Sequence, residues 1–273
     1  MKFYDMLHHV WAKNNSLVCV GLDPDKKKMP DLSEFPANRR IFEFNKKIVD
    51  ATHQYVCAYK LQAACYLHDG GDLELCDTIQ YIHDICDVPV ILDAKRADIG
   101  NTSRMYATDA FEHCKADAVT VNPYMGLDGL QPFLDYAEKG VAILCKTSNA
   151  GSKDIQNLIL SNGIPLYQHV AKIIAESWNY NHNVFLVAGA TCPEELGKIR
   201  ELVGDEISLL VPGIGAQGGD LAMVMKNGMT KDKTGLLINS SRGIIFASSG
   251  SDFAEAAKQK TIELRDAINA FRA

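Results

Sequence analysis

Residues 93–103 read Asp-Ala-Lys-Arg-Ala-Asp-Ile-Gly-Asn-Thr-Ser and follow directly on the apolar run Val88-Pro89-Val90-Ile91-Leu92. A run of this length, rich in Val and Ile, reads as a buried strand. Side chains alternate along a strand, so Asp93 and Lys95 should point the same way, about 7 Å apart along the backbone. Asp98 brings a second carboxylate just past the strand end. Acid, ammonium and acid at the mouth of a buried strand are costly unless each charge is paired. Such a cost is usually tolerated for catalysis, since an ammonium placed there can stabilise developing negative charge and deliver a proton. The plainer reading is an ordinary ion pair, with Asp98 capping the next helix. The setting between a buried-type strand and a helix-like segment, repeated elsewhere in the chain, favours function.

The elements that must carry these residues recur at intervals. Short apolar runs lie at Leu17–Leu22, Val56–Leu61, Val88–Leu92, Ala118–Val121, Val141–Cys145, Val184–Ala188, Ile207–Val211 and Gly235–Ile238. Helical periodicity lies between them. Ile41, Phe42, Phe44, Ile48 and Val49 suit one helix face, and Leu158, Leu166, Val170, Ile173, Ile174 and Trp178 suit another region. Phe253, Ala257, Ile262, Leu264, Ile268 and Phe271 suit a final helix. Strands that are near-continuous apolar runs belong in a parallel sheet covered by helices. Eight alternating strand–helix units predict a closed (β/α)8 TIM barrel, and no Pro/Gly/Ser linker divides residues 1–273, so one domain is expected. An open doubly wound sheet is the alternative.

A barrel should carry its functional groups where strands end. The runs do end in such groups: Asp23, Lys60 and Gln62, the 93–98 motif, Asn122, Lys146-Thr147-Ser148-Asn149, the stretch Pro212-Gly213-Ile214-Gly215-Ala216-Gln217-Gly218-Gly219-Asp220, and Asn239-Ser240-Ser241-Arg242-Gly243. The loops after strands seven and eight are the usual phosphate site of such a barrel. Glycine lets backbone approach closely and turn its amides toward an anion. Arg242 adds a planar, permanently charged fork. Gly213, Gly215 and Gly218 also match a dinucleotide-binding spacing, but late in the chain and without the expected acid about 20 residues on.

Composition narrows the partners. The 273 residues are 47% hydrophobic and 23% charged, with net charge −6, which disfavours nucleic acid. Lys26-Lys27-Lys28 reads as a solvated turn. Eight cysteines without a Cys-x-x-Cys pair do not suggest a disulfide framework, and several sit in apolar runs as small hydrophobes. The histidines show no metal-ligand spacing, so no metal is expected. Met1 to Asn14 reads as an amphipathic helix rather than a signal peptide, and no apolar stretch reaches membrane-spanning length. A reducing cytoplasm is the expected compartment.

Taken together, Gly-Leu-Asp at 21–23, Tyr-Lys at 59–60, Asp-Ala-Lys-Arg-Ala-Asp-Ile-Gly-Asn-Thr at 93–102, the glycine-rich stretch at 212–220 and Asn-Ser-Ser-Arg-Gly at 239–243 resemble the orotidine 5'-monophosphate decarboxylase family over essentially the whole chain. Gly100-Asn101, where many members have Pro-x, is similar to the longer-chain subgroup. The resemblance implies a (β/α)8 barrel without cofactor, a homodimer with shared active sites, and decarboxylation of orotidine monophosphate to uridine monophosphate in pyrimidine biosynthesis. It implies that Lys95 protonates carbon 6, that Asp93 lies nearest the substrate carboxylate, and that Lys60 is the second lysine of the charged network. Asp23 would bind a ribose hydroxyl, while Asp98 and Thr102 would reach the neighbouring subunit's site. Gln217 and Arg242 would hold phosphate, and Ser148 or Asn149 would meet the pyrimidine edge. Two other readings differ in chemistry. A hexulose-phosphate synthase or keto-gulonate-phosphate decarboxylase would need a divalent metal, and a silent nucleotide-binding barrel would bind uridine monophosphate without turnover.

Overall fold

The computed structural model describes residues 1–68, 70–215 and 218–273. Each of the eight apolar runs contributes a strand: β1 (Val18–Leu22), β2 (Ala58–Gln62), β3 (Val90–Arg96), β4 (Ala118–Val121), β5 (Gly140–Lys146), β6 (Val184–Ala188), β7 (Leu209–Pro212) and β8 (Leu236–Ser240). Every strand pairs in parallel with the next, and β8 pairs with β1, closing a barrel in sequence order. Five residues of β1 and five of β6 are buried without interruption, as expected of strands with side chains on one face filling the barrel and on the other meeting helices. An open sheet is excluded by the β1–β8 ladder, which pairs Val18 with Ile238 and Val20 with Ser240.

The helices supply the outer layer. They include α1 (Phe3–Asn14), α2 (Arg40–Thr52), α3 (Ala63–Leu67), α4 (Asp72–Ile85), α5 (Gly100–Thr108), α6 (Leu127–Leu134), α7 (Lys153–Gln156), α8 (Leu166–Ile173), α9 (Pro193–Val203), α10 (Leu221–Gly228), α11 (Arg242–Ile245) and α12 (Phe253–Asn269). The amphipathic start of the chain is α1, whose Phe3, Leu7, Val10 and Trp11 are buried. Phe3 stacks on Phe185 of β6, and Tyr4 Oη donates to Val184 O, so α1 packs beside the N-terminal ends of strands, opposite the rim where the polar groups collect.

Three local expectations are corrected. In α12 the buried positions are Phe253, Ala257, Thr261 and Ile268, while Phe271 lies beyond the helix at 41% exposure. Thr261 replaces Ile262 on the core face because its hydroxyl donates to Ala257 O, satisfying the buried polar group locally. Leu158 is exposed and precedes α8 rather than joining its buried face. Among the cysteines, Cys76 of α4 and Cys114, just after the π-helical turn Asp109–His113 that extends α5, form a disulfide with Cα atoms 4.7 Å apart. Separated by 38 residues, they meet only because neighbouring β/α units place α4 beside the end of α5.

The six other cysteines are free, so there is no framework. Burial pushes the Cys57 and Cys145 thiols up to about 12, in keeping with unreactive apolar packing. His113 approaches the disulfide, and this is the one group of three His, Cys, Asp or Glu donors within 4.8 Å among the described residues. Joined sulfurs are not thiolates, so the group offers no soft-metal site in this state. No helix among the described residues is long and apolar enough to cross a membrane.

Candidate active site

The strand ends converge on one cavity of about 1140 Å³. Its polar floor is a chain of alternating charges. Lys60 of β2 donates from Nζ to Asp23 Oδ1 at 3.2 Å and to Asp93 Oδ2 at 3.0 Å. Lys95 donates from Nζ to Asp93 Oδ1 at 2.7 Å. Gln62 Nε2 adds a bond to Asp93 Oδ2 at 3.2 Å, and Thr120 Oγ1 of β4 donates to Oδ1 at 2.8 Å. Asp93 therefore accepts from four side chains, two at each oxygen, which uses the capacity of a carboxylate.

Barrel topology explains the assembly. Lys60 and Gln62 stand two residues apart on β2 and so share a face; the ladder then places Gln62 beside Asp93. Asp23 follows β1 directly, and Gly21 in that strand stands against the β8 loop, where an added Cβ would lie 2.7 Å from Ser241 Cβ. A larger residue there would push the β1 and β8 ends apart.

The electrostatics follow from enclosure. Burial opposes ionisation of Asp93, but the charges of Lys60 and Lys95 and their hydrogen bonds outweigh it and hold the carboxyl well below the usual carboxylate range. Burial likewise opposes the Lys60 ammonium, and Asp23 and Asp93 overcome that to raise its pKa above the ordinary lysine value. The Lys60 side chain is 5% exposed and that of Lys95 is 46% exposed. The first lysine is structural charge, while the second presents its ammonium to whatever enters.

Ser148, Asn149 and Arg242 also line the cavity. The 147–156 segment is internally braced: Thr147 Oγ1 donates to Asn149 Oδ1, and Gln156 bonds both the backbone N–H and the hydroxyl of Thr147. The glycine-rich loop departs from one expectation. Gly218 and Gly219 donate their amides to Gly215 O and Gly213 O, so these two are committed within the loop rather than offered to an anion. Gln217 lies outside the described residues. Asp98 and Thr102 do not line the cavity of their own chain. Nor does Asp98 cap α5; its Oδ1 accepts from the adjacent Ile99 N–H, and the cap position of α5 is Ile99 itself.

The sequence assigned no individual role to Thr120, Lys146 or Ser241. Thr120 lies inside an apolar run and carries no charge to mark it. Lys146 was visible at the end of β5, yet its ammonium is buried and donates to Ser152 Oγ, supporting the loop from beneath. Ser241 lines the cavity beside Arg242, and its buried hydroxyl has no hydrogen-bond partner among the described residues, which leaves a hydrogen-bonding group toward the cavity.

Fold and site together define a class: a (β/α)8-barrel enzyme that presents a buried lysine–carboxylate array at the C-terminal ends of its strands. Comparison with known proteins gives the family. The profile of the orotidine 5'-phosphate decarboxylase / HUMPS family matches residues 16–259. Orotidine 5'-phosphate decarboxylase of Cellvibrio japonicus is 51% identical over 275 residues, with each chain covered completely, and that of Ralstonia pickettii is 50% identical, again over the whole of both chains. The structure of Leishmania donovani OMP decarboxylase superimposes with a TM-score of 0.85 at 40% identity, covering 100% of this chain and 99% of the other. The chain belongs to the orotidine 5'-phosphate decarboxylase / HUMPS family and is a carboxy-lyase.

Proposed function

We propose that residues 1–273 form one catalytic domain that decarboxylates orotidine monophosphate to uridine monophosphate, without metal or organic cofactor, as a cytoplasmic step of pyrimidine biosynthesis. The observation that carries this reading is the half-exposed Lys95 ammonium, held 2.7 Å from the Asp93 carboxylate at the cavity floor. When the bond between carbon 6 and the carboxylate breaks, carbon dioxide leaves and the electron pair remains on carbon 6. The Lys95 ammonium stabilises that pair and then transfers a proton to it, giving uridine monophosphate; solvent restores the lysine proton. Asp93 repels the substrate carboxylate but not the neutral carbon dioxide that departs. Two charges about 4 Å apart at an effective dielectric of about 20 interact by about 4 kcal/mol, too little for a very large acceleration. Transition-state stabilisation by Lys95, supported by binding energy from the distant phosphate, carries more.

In this reading Asp23 meets the ribose, Ser148 and Asn149 the pyrimidine edge, and Gln217 and Arg242 the phosphate. Asp98 and Thr102, absent from the cavity of their own chain, complete the site of a second subunit in a homodimer. The donor set disfavours a metal-dependent phosphosugar enzyme. A hard divalent cation needs carboxylate oxygens, and those of Asp93 are taken by four side-chain donors. The test is loss of orotidine monophosphate absorbance in the presence of a chelator. Turnover unaffected by the chelator is the expected result; no turnover, or turnover abolished by it, would remove the reading.

A further inference from the structure

The strand that carries Asp93 and Lys95 is irregular where they stand. Pairing of β3 with β4 runs from Leu92–Val119 to Arg96–Val121, an advance of four residues on β3 against two on β4. Asp93, Ala94 and Lys95 therefore face a single residue, Thr120. Lys95 has φ 47°, in the left-handed region that a lysine adopts only when its surroundings impose it. A bulge of this kind removes backbone groups from the regular ladder and re-aims a side chain.

Thr120 replaces what the ladder loses. Its Oγ1 accepts the Lys95 backbone N–H at 2.9 Å, and the same hydroxyl donates to Asp93 Oδ1 at 2.8 Å. The Lys95 side chain reaches that same oxygen at 2.7 Å. One hydroxyl, on a residue 1% exposed, thus ties the backbone of the lysine to the carboxylate that its own ammonium approaches.

We propose that Thr120 is a positioning residue for the reaction: its hydroxyl fixes the β3 bulge and so aims the Lys95 ammonium at the reacting carbon. The inference rests on the reading of Lys95 as the proton donor. Thr120 touches no reacting atom in this account. It acts by setting where the Lys95 side chain begins and which way the Asp93 carboxylate is turned.

The test compares Thr120→Val, which keeps the branched shape and removes the hydroxyl, with Thr120→Ser, which keeps the hydroxyl, and with Lys95→Ala. Thr120→Val should lower kcat about 10- to 100-fold, the effect of one hydrogen bond to a charged group, while changing KM much less. Thr120→Ser should recover most of that loss. If Thr120→Val does not fold, Thr120→Ala takes its place in the comparison. Wild-type kcat in Thr120→Val beside an inactive Lys95→Ala would overturn this inference alone. So would a loss confined to KM, or a serine variant as impaired as the valine one. Turnover retained by Lys95→Ala would overturn the underlying reading of the site and this inference with it.

Discussion

Asp93 and Lys95 share a hydrogen bond of 2.7 Å, yet the side chain of the acid is 8% exposed and that of the lysine 46%. The carboxylate is the fixed end of the pair, gripped also by Lys60, Gln62 and Thr120. The ammonium is the end that faces the cavity. A group meant only to neutralise Asp93 would be as buried as Lys60 is. The asymmetry makes Lys95, rather than Lys60, the lysine whose ammonium is open to the cavity.

Lys95→Ala should therefore abolish turnover while the barrel persists. A general acid and an electrostatic stabiliser are lost together, so the fall in kcat is about 10,000-fold or more. Steady-state kinetics on protein with a wild-type circular dichroism spectrum measures it. Substantial residual decarboxylation by the folded variant would remove Lys95 from the role.

Sharing of sites between subunits is tested by complementation. Lys95→Ala and Asp98→Ala proteins are each inactive in this account. In a mixed dimer, one site pairs the intact Lys95 of one subunit with the intact Asp98 of the other. Equal mixing with free exchange should restore about a quarter of wild-type activity, since half the dimers are mixed and each has one working site. No recovery after proven exchange would place both residues in the same site.

Arg242 stands at the start of α11, on the cavity wall. If it holds phosphate, Arg242→Ala should lower kcat/KM for orotidine monophosphate by about 3 kcal/mol, or roughly 100-fold. Orotidine lacks the phosphate, and its kcat/KM should change far less. Equal fractional losses on the two substrates would show that Arg242 does not act through phosphate.

The Asp93–Lys60 pair sets a pH window for stability. Asp93 titrates below its unfolded value of about 3.9, so its contribution is complete above that pH and is lost as pH falls through the folded value. Lys60 titrates above its unfolded value of about 10.4, so its contribution is complete below that pH and is lost as pH rises through the folded value. Between about pH 5 and pH 9 both contributions are constant. Asp93→Asn should cost about 3 kcal/mol across that window, because the buried Lys60 ammonium then keeps only Asp23 as a counter-charge. Urea unfolding of both proteins checks this: the gap should be flat from about pH 5 to pH 9 and narrow below about pH 4. A gap that varies across the neutral range would assign it to other groups.

Much of the architecture was written in local patterns. Eight Val/Ile/Leu-rich runs separated by helical periodicity were enough for a parallel barrel, because strands buried on both faces leave an apolar signature in the chain itself. Asp23, Lys60, Asp93 and Lys95 could be chosen because each lies within or just past the last residues of an apolar run, and that position needs no knowledge of neighbours. The alignment of Asp93 with Lys95 was foreseen from strand alternation, whereas the structure achieves it through a bulge and a left-handed lysine. No pattern in residues 93–95 encodes that bulge, since the hydroxyl bridging it belongs to Thr120 on the next strand. The same holds for the Cys76–Cys114 disulfide across 38 residues and for the bond from Lys60 to Asp93 across 33. The exclusion of Asp98 and Thr102 from their own cavity is equally a matter of where the chain turns after β3. The amino-acid sequence by itself determined which strands form and which charged groups stand at their ends, because those are properties of single elements. Only the closed barrel decided which of these groups touch, how each proton is directed and which side chain is left exposed, because hydrogen bonds between strands depend on a register that no single strand contains.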